Sequence, residues 1–248
     1  MSSYGPIRRK RAPSTTCRRS KKDDEMVTSK LKNLYECAQK IKGNEQKYRN
    51  NNPWVPQHPS QILVVGPTGA GKTNLVLNYL EKSGSFDDIQ VCAKDLEEPL
   101  YRLLKHDYPD SEEVFMTSNI NELPTVDSLD PKKQHAVIFD DFVTDKKAGP
   151  QIVDHFIRGR KKNCTDIYLS QSYTSTPLNV RRQMSDLFLR NIRGKRDLKT
   201  ILRDFNLDID IDELVAMYQE ATHDPMDFFH IALKAPPARQ FQKNFCVL

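Results

Sequence analysis

The stretch ILVVGPTGAGKTNLVLNYL, residues 62–80, constrains the fold more than any other. An apolar run ends in Gly66, a short loop carries Gly69 and Gly71, and Lys72-Thr73 opens a pattern of helical period. The spacing G-x-x-x-x-G-K-T between a strand and a helix is that of a loop whose backbone N–H groups turn toward phosphate oxygens. Gly66, Pro67, Thr68, Gly69, Ala70, Gly71, Lys72 and Thr73 are therefore expected to hold the phosphates of a nucleotide. Lys72 is suited to reach the β- and γ-phosphates, and the Thr73 hydroxyl to reach Mg²⁺. A chance match in a glycine-containing turn would lack the strand before it and the helix after it.

The rest of the chain alternates in the same manner. Strands are expected at 62–65, 89–93, 113–117, 135–141 and 165–172, at DLFLRNI and, last, at DFFHIAL. Helical patterns occupy 72–82, PLYRLLKHDY, 150–160, PLNVRRQMS, DLKTILRDF and IDELVAMYQEA. Such alternation predicts an α/β fold with a mostly parallel central sheet, helices on both faces, and a small C-terminal α+β extension. The expected segments are a basic tail over 1–22, an amphipathic helix and Pro-rich linker over 23–53, a nucleotide-binding core over 54–194, and the extension over 195–248.

Composition matters here mainly through charge. The chain carries a net charge of +5, yet residues 1–22 hold eight Lys and Arg and no acid, which leaves −3 for residues 23–248. The tail reads as a disordered segment. Its two basic clusters, in RRKRAPSTTCRRSKK, resemble a bipartite nuclear import signal and also suit nucleic acid. The mean hydropathy is −0.66, and no apolar run approaches the roughly 18 residues of a membrane helix. Five widely spaced cysteines without a C-x-x-C predict neither a disulfide framework nor a metal site.

Three further constellations carry chemistry. AVIFDD brings an apolar strand to Asp140 and Asp141. Asp140 is placed to hold Mg²⁺ through water and Asp141 to orient and deprotonate an attacking water, which predicts a hydrolase. YLSQS ends another apolar strand in Ser170 and Gln171, at the carboxyl edge where such sheets bind ligands, and Gln171 is suited to sense the γ-phosphate. RGRKKN offers Arg158 and Arg160 at a helix end as candidates for an arginine finger, with Arg181 and Arg182 as competitors. Side-chain chemistry does not choose among the four. A solvated strand end or a dipole-favoured cationic helix end would explain each feature taken singly.

Together GPTGAGKT, VIFDDF, RGRKKN and IYLSQSYTSTPLNVR resemble the viral DNA-packaging ATPases of the FtsK–HerA superfamily. The poxvirus packaging protein typifies that group, and relatives occur in virophages and polinton-like elements. The resemblance covers roughly residues 60 to 192 and is looser beyond. It implies ATP hydrolysis with Mg²⁺, a homo-oligomeric ring (a pentamer or hexamer), double-stranded DNA in the pore, and capsid portal or vertex proteins as partners. It also implies that Arg160 acts in trans, with work in a host nucleus or a cytoplasmic virus factory and no membrane partner. Two positions depart from the pattern: Asp141 stands where many relatives have Glu, and Lys161 where packaging relatives often have His. A small nucleotide kinase and a non-catalytic ATP-binding adaptor are the other readings. A GTPase is disfavoured because no N-K-x-D motif occurs.

Overall fold

The computed structural model describes residues 48–108, 112–145, 147–192 and 195–248. The basic tail over 1–22 and the amphipathic helix expected directly after it lie outside the described residues. Nine strands form one sheet: β1 (Gln61–Val65), β2 (Asp88–Ala93), β3 (Val114–Thr117), β4 (His135–Asp140), β5 (Cys164–Ser170), β6 (Asp186–Leu189), β7 (Phe229–Ala232), β8 (Phe241–Lys243) and β9 (Cys246–Val247). Their order is β3-β2-β4-β5-β1-β6-β7-β8-β9. The first six strands run parallel, and β7, β8 and β9 add antiparallel pairs. The helices are α1 (Lys72–Ser83), α2 (Pro99–Asp107), α3 (Gly149–Arg158), the short α4 (Leu178–Arg181), α5 (Lys195–Phe205) and α6 (Ile211–Ala221).

Alternate strand residues divide between two cores, as the period-2 geometry of a strand requires. Ile62 and Val64 of β1, Ile138 of β4 and Ile167 of β5 pack with Leu75, Val76 and Tyr79 of α1 and Tyr101 of α2. Leu63, Val65, Phe139 and Tyr168 face the other way, onto Ile152 and Phe156 of α3, Ile201 of α5 and Leu214 of α6. Parallel strands covered on both faces are buried throughout, which is why residues 62–65 of β1 read as an uninterrupted apolar run.

The C-terminal region continues the same sheet. β7 pairs antiparallel with β6, bringing Phe188 opposite His230. DFFHIAL is not the last strand, because β8 and β9 follow it. Those two strands are three and two residues long, too short to show an alternating pattern.

The parallel register fixes where chemistry can gather. Val65 pairs with Ser170, and Asp140 with Leu169. The ends of β1, β4 and β5 therefore open onto one edge.

Candidate nucleotide site

The loop after β1 is shaped by its glycines. Gly69 and Gly71 have φ of 76° and 74°, the left-handed region that a side chain disfavours. Gly71 caps α1, and its carbonyl accepts the first helical hydrogen bond, from Leu75 N, at 3.0 Å. The Gly66 N–H donates to the Ser170 carbonyl at 3.1 Å, so the loop begins tied to the end of β5. The Lys72 ammonium donates to the Pro67 carbonyl at 3.3 Å and spans the loop. Burial pulls the Lys72 pKa down, and Asp140, Asp141 and Glu98 pull against it.

Beside the loop lies a cleft of about 550 Å³, lined by Gly71, Lys72, Thr73, Glu98, Asp140, Asp141 and Gln171 among others. Thr73 Oγ1 donates to Glu98 Oε2 at 3.2 Å, and the Tyr101 hydroxyl donates to Asp140 Oδ2 at 2.8 Å. Burial raises the Asp140 pKa, while the Tyr101 hydrogen bond and Lys72 lower it, and the net direction is upward. A carboxylate held this way is stabilised by any cation brought to it. Gln171 Nε2 donates to Asp141 Oδ1 at 3.3 Å.

Asp141 is itself left-handed, with φ of 62°. Short polar side chains tolerate that region better than long ones. This supplies a physical reason for Asp, rather than the longer Glu, immediately after Asp140.

Arg160 is not in this cleft. It lies in the turn Gly159–Lys162, before the amino end of β5, on the opposite edge of the sheet. There it lines a separate cleft with Lys234 and Arg239. Gly159 is needed in that turn because an added β-carbon would collide with the Asp166 carboxylate. The competing arginines differ in their pairing. Arg158 is bound by Asp154 at 3.0 Å and by Asp127, and Arg181 by Asp204 at 2.5 Å. Arg160 and Arg182 form no ion pair with a described residue.

Several members of the site escaped sequence reasoning. Tyr101 and Glu98 come from α2 and its N-cap, where an amphipathic pattern accounts for them equally well. Lys94 enters the cleft from the end of β2, paired with Asp145 at 2.5 Å and lying 4.4 Å from the centre of the Phe142 ring. Arg190 follows β6 and lies under the loop, with Nη1 donating to the Gly71 carbonyl at 3.2 Å.

No protein-family model matches the chain, and no curated protein matches it. Solved structures do. The genome packaging NTPase B204 from Sulfolobus turreted icosahedral virus 2, in complex with ATP-γ-S, superposes with a TM-score of 0.53 at 13% identity, over 77% of this chain and 98% of that one. The same protein in complex with AMP gives a TM-score of 0.51 at 14% identity, over 71% of this chain and 93% of that one. At such identities the likeness is one of fold. The chain has the α/β fold seen in these NTPase structures, and its own glycine loop, paired acids and polar strand end meet at one edge of a mostly parallel sheet.

Proposed function

We propose that this chain is an ATP-hydrolysing motor that translocates double-stranded DNA into a viral capsid. The observation that carries the reading is the convergence of Lys72, Thr73, Asp140, Asp141 and Gln171 at one sheet edge. The fold shared with a genome packaging NTPase supports it.

The loop N–H groups and the α1 N-terminus receive the phosphates, with Lys72 at the β- and γ-positions. The Thr73 hydroxyl and the Asp140 carboxylate are oxygen ligands of the kind Mg²⁺ prefers, and Asp140 Oδ1 makes no hydrogen bond with a described residue. These groups fit the metal: Thr73 and Asp140 would hold it, and when bound it would neutralise phosphate charge. Asp141 accepts the proton of the attacking water, and Gln171, bonded to it, orients that water. Arg160, at the far edge of its own subunit, meets the γ-phosphate of a neighbour in a ring of five or six copies. DNA in the pore is held by its phosphates, without regard to sequence. The basic tail over 1–22 serves nuclear import with some DNA contact, and capsid portal or vertex proteins receive the ring.

A nucleotide kinase would need neither Asp141 nor Gln171 at these positions, and an adaptor would need no paired acids. ATP hydrolysis measured with and without duplex DNA separates the three. The motor hydrolyses ATP faster with DNA, the kinase requires a phosphoryl acceptor, and the adaptor turns over nothing. Hydrolysis indifferent to DNA would contradict the proposal.

A further inference from the structure

Arg190 is the most deeply buried arginine among the described residues, with 3% of its surface exposed. It follows β6, and its backbone N–H donates to the Val65 carbonyl at 2.8 Å. Its guanidinium passes beneath the phosphate-binding loop. Nη1 bonds the Gly71 carbonyl at 3.2 Å, Nη2 bonds the Pro225 carbonyl, and the buried Nε has no partner. The loop is fitted around it: a β-carbon on Gly66 would approach the Arg190 carbonyl to 2.7 Å, and one on Gly71 would approach Nη1 to the same distance.

What this cation lacks is a counter-charge. It makes no ion pair with any described residue. Asp227 contributes attraction at longer range, but Asp227 is already bonded by Lys243 and Asn244, each at 2.8 Å. Both guanidinium contacts are to neutral carbonyls. The charge also lies next to the N-terminus of α1, whose dipole end is positive. A buried cation there is costly by itself, and an anion arriving at the loop relieves both the desolvation and the repulsion.

We infer that Arg190 is a positioning residue for the nucleotide. It sets the loop through Gly71 and contributes fixed positive charge behind it, so that the phosphates, not a carboxylate of the protein, complete its pairing. Through the Pro225 carbonyl it also links the occupied loop to the segment Met226–Phe228. This rests on the nucleotide reading of the loop, and the polyphosphate is the ligand it requires.

The test uses full-length protein and the variants Arg190→Met, Arg190→Gln and Arg190→Lys. Melting temperature is read alone and with ADP or ATP, and nucleotide affinity is read by titration. Arg190→Met and Arg190→Gln should be at least as heat-stable as the parent without nucleotide, yet bind nucleotide at least tenfold more weakly. Arg190→Lys should keep most of the affinity. A purely structural tie predicts the reverse: lower stability without nucleotide and unchanged affinity. That result would overturn the inference, as would failure of Arg190→Met and Arg190→Gln to fold. Parent protein that shows no nucleotide-dependent stabilisation would instead refute the nucleotide reading itself, which keeps the two failures distinct.

Discussion

Gln171 Nε2 donates a hydrogen bond to Asp141 Oδ1 at 3.3 Å, joining the end of β5 to the turn after β4. The two residues lie 30 positions apart and meet because Asp140 and Leu169 are paired in register. Gln171→Ala should therefore bind ATP normally and turn it over about 10²-fold more slowly, the usual scale for losing one group that orients a transition state. Equilibrium binding of ATP-γ-S beside steady-state hydrolysis checks this. A loss of binding with unchanged turnover would place Gln171 in ground-state contact instead.

Asp141 carries a second expectation. Asn adopts positive φ as readily as Asp. Asp141→Asn should keep the unfolding free energy within about 0.5 kcal/mol while lowering turnover by two or more orders of magnitude. Asp141→Ala should lose the same activity and in addition about 1 kcal/mol of stability, because Ala pays more to be left-handed. Chemical denaturation and hydrolysis rates on the same samples decide it, and near-normal turnover in Asp141→Asn would move the base elsewhere.

Much of this site was legible in the sequence, and the reasons are physical. The glycine loop is local: its function depends on the consecutive backbone conformations of residues 66–71, which the glycines themselves encode. Asp140, Asp141 and Gln171 are legible because polar residues ending a buried strand can only emerge at a sheet edge. Tyr101 was not, since a Tyr on an amphipathic helix looks like core until its hydroxyl is found 2.8 Å from Asp140. Arg190 was not, because an arginine near the end of the expected strand DLFLRNI looks like a solvated strand end. Strand order was also hidden: nothing local tells β1 to lie between β5 and β6. Separating Arg160 from Arg158 and Arg181 needed the acids that bind the latter two, brought near by the fold.

The amino edge of the sheet predicts a pH response. The His58 pKa falls from 6.5 to about 4, chiefly through burial and then through His135 and Arg49, with Asp87 opposing. The fold accepts the neutral ring. Its contribution is fully present above 6.5 and drains away as pH falls toward 4. His135 has the opposite sign. Burial lowers its pKa, but hydrogen bonds to Asp88 and the Asp130 carbonyl outweigh that and raise it, so its contribution is full below 6.5 and lost as pH rises through the folded value. Between about pH 7 and pH 4.5 the His58 contribution should account for a loss on the order of 2 to 3 kcal/mol. His58→Asn should flatten that part of the stability profile, as measured by urea denaturation at both pH values. Parallel profiles for parent and variant would remove His58 from the account.

Arg160 gives a complementation test. Arg160→Ala and Lys72→Ala subunits should each be inactive alone, yet mixtures should regain part of the hydrolysis, because each supplies the group the other lacks. Mixtures that assemble and stay inactive would withdraw the trans role from Arg160 and pass it to Arg182, the other candidate that forms no ion pair with a described residue.

In the proposed motor, ATP hydrolysis at Lys72, Asp141 and Gln171 drives movement along duplex DNA. Displacement of a third strand from a triplex placed on a linear duplex reads such movement directly. Displacement should require ATP, be abolished by Lys72→Ala and Asp141→Asn, and not depend on the sequence between the entry end and the triplex. ATP hydrolysis stimulated by DNA without any triplex displacement would contradict the proposed motor.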